Sequence, residues 1–242
     1  MQIDILSLFP GCFQGPFDES MIKRAKKEGL VRINLCDIRQ FAKGKHRKVD
    51  ERPFGGGPGM VLMAPPVCAA IRNCKKKSGY VVYLSPQGRL LDSRLARKLS
   101  RKKHLLLLCG HYEGIDERII KKEVDLEVSI GDYVLTSGCL PAMVLVDAVL
   151  RFLPGFLGHP EAASSDSFEK GLFKGPQYTR PLEFEGEKVP EVLLSGHHEK
   201  IARWRFEEGR KKTKKIRLDL YQNYLEQVKK KEKDCESTNS RV

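Results

Sequence analysis

Apolar residues recur along the chain in two distinct periods. Short dense runs stand at Tyr80-Val81-Val82-Tyr83-Leu84, at Leu105-Leu106-Leu107-Leu108 and from Val124 to Ile130. Runs that short and that apolar suit strands covered on both faces of a parallel sheet, so strands are predicted over 80–84, 104–109 and 124–130. A first strand is predicted over 3–9, broken by Pro10 and Gly11. A second follows where Val31, Ile33 and Leu35 alternate with Arg32, Asn34 and Cys36. Helical spacing fills the intervals. Helices are predicted over 18–28, with Asp18 as N-cap and Gly29 as stop, and over 65–77, opened by Pro65-Pro66. Others are predicted over 92–102, 115–122 and 139–152, the last an amphipathic segment with Leu140, Val144 and Ala148 at helical spacing. The βαβα alternation indicates an α/β fold with a mainly parallel sheet.

Three of these strands run directly into loops containing glycine or proline. They are Ser85-Pro86-Gln87-Gly88, then Cys109-Gly110-His111-Tyr112-Glu113-Gly114, then the stretch from Ser129 to Pro141. Ligands of open α/β sheets lie at the carboxyl ends of the strands, where such loops gather. Another segment, 42–60, is polar and ends in Gly55-Gly56-Gly57-Pro58-Gly59. It has neither the spacing of a dinucleotide fingerprint nor the Lys-Ser/Thr of a Walker loop. It reads as a flexible surface loop or as a functional one. Residues 153–175 are rich in Gly, Pro, Ser and Ala and read as a linker. Beyond it, a helix opened by Ser195-Gly196-His197 bears Arg203, Trp204 and Arg205, and another is expected over 213–228. Residues 229–242 are almost without apolar side chains, which predicts a disordered tail.

Charge changes this picture by adding a partner. The 242 residues carry a formal net charge of +13. Residues 72–103 hold eleven Lys or Arg against the single acid Asp92, and 210–217 form a second basic cluster. Any one lysine reads as part of a solvated face, but the ensemble favours nucleic acid. Seven cysteines without a Cys-x-x-Cys pair predict neither a zinc site nor a disulfide framework, and they fit a reducing cytoplasm. No metal site is expected. No apolar stretch approaches the roughly 18 residues of a membrane span. The amino terminus lacks the basic start of a signal peptide.

With Pro53-Phe54-Gly55-Gly56-Gly57-Pro58-Gly59-Met60, Tyr83 to Gly88, Cys109 to Arg118 and Ser129 to Met143 in this order, the chain resembles the bacterial tRNA (guanine-N1)-methyltransferases of the SPOUT class. The matching stretches run from residue 1 to about 205. The resemblance implies a SPOUT-like α/β catalytic domain over 1–160 with a trefoil knot, a linker over 161–175 and a small helical tRNA-binding domain over 176–228. It implies S-adenosylmethionine as methyl donor, an anticodon stem-loop as partner, a homodimer packed through the 139–152 helix, and magnesium participation. The donor's expected contacts are Tyr83, Leu84, Ser85, Pro86, Gln87, Gly88, Cys109, Gly110, Tyr112, Glu113, Gly114, Ser129, Ile130, Gly131, Tyr133, Leu135, Gly138, Leu140 and Pro141. Three stretches depart from the family pattern. His111 stands where arginine is usual, Thr136-Ser137-Gly138-Cys139 replaces Ser-Gly-Gly-Glu, and the region from about 206 onward diverges and is unusually lysine-rich.

The implied reaction makes chemical demands. Guanine N1 is protonated at neutral pH, so a base must take that proton. By resemblance the base is Asp166. From the residues alone, Asp166 with Glu169 three positions on is equally a capping box. Charge builds on guanine O6 as N1 is deprotonated, and by resemblance Arg151 neutralises it. Without the resemblance, Arg151 is an arginine complementing a helix dipole. Glu113 is the third catalytic candidate, at the guanine edge or beside the sulfonium. The implied product is 1-methylguanosine next to the anticodon, 3′ to it. A SPOUT ribose 2′-O-methyltransferase or a non-catalytic RNA-binding module are the alternatives.

Overall fold

The computed structural model describes residues 1–159 and 162–239, with side chains through 230. The chain divides into two compact units, Met1–Pro160 and Glu161–Val242. The junction itself lies outside the described residues.

In the first unit, β1 (Gln2–Ser7), β2 (Arg32–Asp37), β5 (Gly79–Leu90), β6 (His104–Cys109) and β7 (Leu126–Ser129) form one parallel sheet in the order β2-β1-β6-β5-β7. A short antiparallel pair, β3 (Asp50–Glu51) and β4 (Val61–Leu62), stands apart from it. β6 is the central strand, and all six of its residues are buried. Its side chains alternate between two cores, as strand geometry requires. Leu105, Leu107 and Cys109 join Ile3, Ile5, Val82 and Leu84 on one face; Leu106 and Leu108 join Leu6, Val81 and Tyr83 on the other.

Helices cover both faces. α1 (Ser20–Lys27), α3 (Ser93–Ser100) and α5 (Cys139–Leu150) pack on the first through Ile22, Leu95, Leu99, Leu145 and Val149. α2 (Ala64–Cys74) and α4 (Glu117–Glu123) pack on the second through Val67, Ile71 and Ile119. Pro65 and Pro66 occupy the first turn of α2, where a missing N–H costs nothing. Asp92 caps α3 by accepting from Leu95 N at 2.7 Å.

The second unit holds a small hairpin, β8 (Glu183–Phe184) with β9 (Glu187–Lys188), then α6 (His198–Ile216) and α7 (Leu218–Asn239). The Gly- and Ser-rich segment before them is packed. Leu172 is buried, and Phe173 N donates to the buried Thr213 Oγ1 at 2.8 Å. A side chain on Gly209 would put its Cβ 2.3 Å from Phe173 O, so glycine lets this segment lie against α6. On the other side of the junction, Phe156 is buried in the first unit, and its carbonyl accepts from Arg24 Nη2 at 2.6 Å.

Several elements differ from the sequence expectation. Asp18 is not the cap of α1. Its carboxylate turns to Lys26 Nζ at 2.8 Å, and the helix starts at Ser20. The predicted loop 85–88 lies inside β5. The strand leaves its partner after Leu84 and returns with Arg89 opposite the same Val128, a bulge that the backbone N–H and C=O groups close by re-pairing. The break expected at 213 falls at Arg217, and Thr213 lies inside α6, where its hydroxyl accepts from Phe173 N. The tail expected to be disordered is helical through Asn239. Its Lys- and Glu-rich stretch contains no Gly or Pro to stop the helix that α7 begins. Residues 240–242 of that tail lie outside the described residues.

Candidate functional site

The bulge of β5 and the carboxyl ends of β6 and β7 surround a cavity of about 400 Å³. Its walls are the three loops singled out in the sequence, so the side chains that face it are placed by backbone crossings. The central crossing joins Gly110 and Gly138. Gly138 N donates to Gly110 O at 2.8 Å, and His111 forms a β-bridge with Ser137. A Cβ on Gly138 would stand 2.8 Å from Gly110 N and 2.9 Å from Cys109 Cα. Only glycine lets the two chains meet this closely.

The glycine-rich segment borders the same cavity. Glu113 N donates to Met60 O at 3.0 Å and Leu62 N donates to Gly114 O at 3.0 Å. A Cβ on Gly59 would lie 2.6 Å from the Glu113 side chain. Tyr112, between Glu113 and His111, holds a φ of 60°, a strained setting for a non-glycine residue that recurs at ligand sites.

Sixteen of the nineteen expected donor contacts line the cavity: Tyr83, Leu84, Ser85, Pro86, Gln87, Gly110, Tyr112, Glu113, Gly114, Ser129, Ile130, Gly131, Tyr133, Leu135, Gly138 and Pro141. Gly88, Cys109 and Leu140 do not. Gly88 presses on β7, where its Cβ would be 2.4 Å from Val128 N. Cys109 is wholly buried in the core, and Leu140 turns to the exposed side of α5. Sequence reasoning missed His111, Ile115, Glu117, Ile120, Glu127, Val128, Val134, Thr136 and Ser137. The motif stretches contained most of these, but nothing in their spacing told inward from outward. Glu127 and Val128 belong to a strand, and Glu117 and Ile120 to a helix, so no loop signal marked them.

The lining has a distinct charge. It includes Glu113, Glu117 and Glu127 and no Lys or Arg, in a chain of net charge +13. Such a wall favours a cation. Burial holds the Tyr83 phenol up at about 12, so it stays a neutral donor. Burial also lowers the His111 imidazole, whose Nδ1 is buried without a partner. Behind the crossing, the Cys139 sulfur lies 3.3 Å from Ser7 Oγ, and Cys139 N donates to Ser137 Oγ at 3.3 Å. Hydrogen bonding from the Cys109 thiol, against the effect of burial, lowers Cys139 to about 5. The buried Cys109 thiol is pushed well up by its surroundings.

The catalytic candidates fall on both units. Arg151 is the C-cap residue of α5, half-buried, its N–H donating to Asp147 O at 3.3 Å. Asp166 belongs to the second unit and lies 3.4 Å from Lys174 Nζ. No helix starts at Asp166. The residues around it are turns, which removes the capping-box reading. No group of three or more His, Cys, Asp or Glu among the described residues is placed to hold a metal ion. No helix among them is long and apolar enough to cross a membrane.

Comparison with known proteins bears on this geometry. The model of the family described as tRNA (Guanine-1)-methyltransferase TrmD matches residues 1–223. The chain is 60% identical over 220 residues to the tRNA (guanine-N(1)-)-methyltransferase of Protochlamydia amoebophila, covering 91% of this chain and 99% of that protein. It is 57% identical over 225 residues to the protein of that name from Chlamydia pneumoniae, covering 93% of this chain and 62% of the relative. With the Chlamydia abortus protein it shares 52% over 243 residues, 98% of this chain and 68% of the relative. The chain thus spans nearly the whole of the first relative and a little under two-thirds of the second. With its five-stranded parallel sheet and helical C-terminal part, this α/β chain of the SPOUT class belongs to the tRNA (guanine-1)-methyltransferase TrmD family.

Proposed function

We propose that this protein transfers a methyl group from S-adenosylmethionine to N1 of the guanosine 3′-adjacent to the anticodon of tRNA. The observation that carries this reading is the cavity at the bulge of β5 and the carboxyl ends of β6 and β7. It has glycine-permitted backbone walls and three glutamates without a basic residue. Those features suit a cationic donor with an adenine ring. S-adenosylmethionine supplies an electrophilic methyl group on a sulfonium. Backbone groups of the 84–87, 110–114 and 131–138 loops hold the adenosine, and Glu113, Glu117 and Glu127 offset the positive charge. Tyr83 packs beneath Gly110, where a Cβ would meet its hydroxyl at 2.9 Å.

In the proposed mechanism Asp166 accepts the N1 proton of guanine, Arg151 stabilises the negative charge that builds on O6, and Glu113 orients the guanine edge. Much of the acceleration then comes from positioning of the two reactants. Flipping the guanosine from an anticodon loop costs less than from a duplex. The basic stretches at 43–52 and 203–217 grip phosphates. Two copies pair through α5, where Leu140 and Val144 form an exposed apolar stripe at helical spacing. Glu113 and Asp166 alone make no dedicated magnesium site, and no step is assigned to that ion. The chemistry belongs in the cytoplasm, where tRNA is matured.

The test is incubation with S-adenosylmethionine and unmodified tRNA, followed by nucleoside mass spectrometry, with Asp166→Ala beside the wild type. Appearance of 1-methylguanosine, reduced roughly 10²- to 10⁴-fold in the variant, is expected for loss of a general base. A 2′-O-methyl product would overturn the mechanism.

A further inference from the structure

One concentration of positive charge has no part in the reaction just described. Because the five strands are parallel, their amino ends share one edge of the sheet, opposite the cavity. Four neighbouring strands carry cations there. Arg32 opens β2, and the Met1 amino group stands before β1, donating to Leu30 O at 2.9 Å. Arg101, Lys102 and Lys103 lead into β6, and Lys75, Lys76 and Lys77 lead into β5. Gly79 and His104 are partners in the sheet, so the two triplets are fixed side by side.

Backbone bonds hold the edge in place. Gln2 N donates to Lys103 O at 2.9 Å, Lys102 N to Leu99 O at 3.0 Å, and Gly79 N to Lys76 O at 2.8 Å. The Lys102 ammonium lies 4.2 Å from the Tyr80 ring centroid, and Lys76 hydrogen-bonds the Gln2 side chain. The fifth strand ends the pattern. Glu123 and Asp125 precede β7, and there Lys75 lies 3.8 Å from Asp125. The basic edge therefore crosses four strands, about 14 Å at the usual strand spacing.

We propose that this amino-end edge is a second RNA-binding surface, which engages the phosphates of a duplex stem outside the anticodon stem-loop. Like charges fixed this close repel one another, and a polyanion relieves the repulsion. Phosphates are favoured over an acidic protein because none of the exposed large apolar side chains belongs to these loops, and protein interfaces depend on apolar and aromatic anchors. Cations on loops contact phosphates and 2′-hydroxyls, so the surface recognises duplex shape and carries no sequence preference. This inference rests on the tRNA reading above and extends it from the anticodon stem-loop to a stem elsewhere in the tRNA.

The test compares wild type with Lys76→Glu/Lys77→Glu/Lys103→Glu, using full-length unmodified tRNA and an isolated anticodon stem-loop, each titrated across a range of salt. For full-length tRNA we expect the variant to bind at least about tenfold more weakly, with the salt slope smaller by about one for each phosphate no longer neutralised. Stem-loop affinity stays at the wild-type value. Unchanged affinity and slope for full-length tRNA would overturn the proposal, as would an equal loss for the stem-loop. The glutamine triple variant, which removes charge without reversing it, must show the same change in smaller degree; it also serves if the glutamate variant melts early. If the wild type forms no 1-methylguanosine but the slope change is seen, the reaction reading fails and the RNA surface stands.

Discussion

The two ends of one sheet are built on opposite principles. At the carboxyl ends the strands open into long loops, whose backbone crossings enclose a cavity walled with glutamates. At the amino ends the turns into β5 and β6 are tight, backbone-bonded and crowned with lysine and arginine. The same strands produce both, since parallel pairing puts every amino end on one edge and every carboxyl end on the other. The difference teaches that one sheet can carry opposite charge at its two ends. At the carboxyl end close backbone approach also shapes the cavity that the glutamates wall, whereas at the amino end the side chains alone set the surface apart.

The hub shared by both ends is the place to break them together. Leu107→Ala empties a fully buried position in β6. It is expected to cost about 2–5 kcal/mol in denaturant unfolding. Gly138→Ala strikes the carboxyl end alone. Its Cβ would meet backbone at 2.8 Å. Forcing the crossing apart is expected to cost about 1–3 kcal/mol, read by calorimetry as about ten- to hundredfold weaker binding of S-adenosylhomocysteine. The amino-edge RNA contacts should keep their salt slope in that variant.

A smaller effect sharpens the charge side of the comparison. Glu127→Gln removes one acid from the half-exposed wall. Donor affinity is expected to fall by less than about tenfold, and less at high salt, because partly exposed charges are screened. Added salt should therefore weaken the cationic ligand at one end and the RNA at the other.

The smallest effect concerns Cys139, held at about 5 by hydrogen bonding from Cys109, Ser7 and Ser137, against an ordinary thiol value of 9.0. A thiol lowered on folding contributes stability that is full above the unfolded value and is lost as pH falls through the folded one. The melting temperature of the wild type should therefore exceed that of Cys139→Ser by most near pH 9. The gap should narrow steadily towards pH 5. A gap independent of pH would show that Cys139 stays protonated throughout.

The sequence was legible wherever a residue's role follows from its immediate neighbours. Leu105 to Leu108 could only be a covered strand, and β6 occupies the predicted residues. Pro65-Pro66 could open a helix but not sit inside one, and α2 begins there. The stretches at 85–87, 110–114 and 129–138 supplied most of the cavity, because glycine and proline after an apolar run mark strand ends, as they do after β6 and β7, or a bulge, as they do within β5. Elsewhere neighbours were a poor guide. Asp18 had the right type and place for a cap, yet a lysine eight residues on competed for its carboxylate.

What the sequence determined by itself, then, was the five strands of the parallel sheet and the helices between them, the α/β class, and the stretches that carry the family's motifs. Those depend on periodicity and on backbone preferences that act within a few residues. Only the tertiary structure decided that β5 resumes pairing after Leu84, that Gly110 and Gly138 touch, and that Glu117 and Glu127 join Glu113 around one cavity. It also decided that two basic triplets some twenty-five positions apart stand side by side. Such facts are set by strand order and register, which depend on how distant apolar faces are buried together, and a local pattern does not encode them.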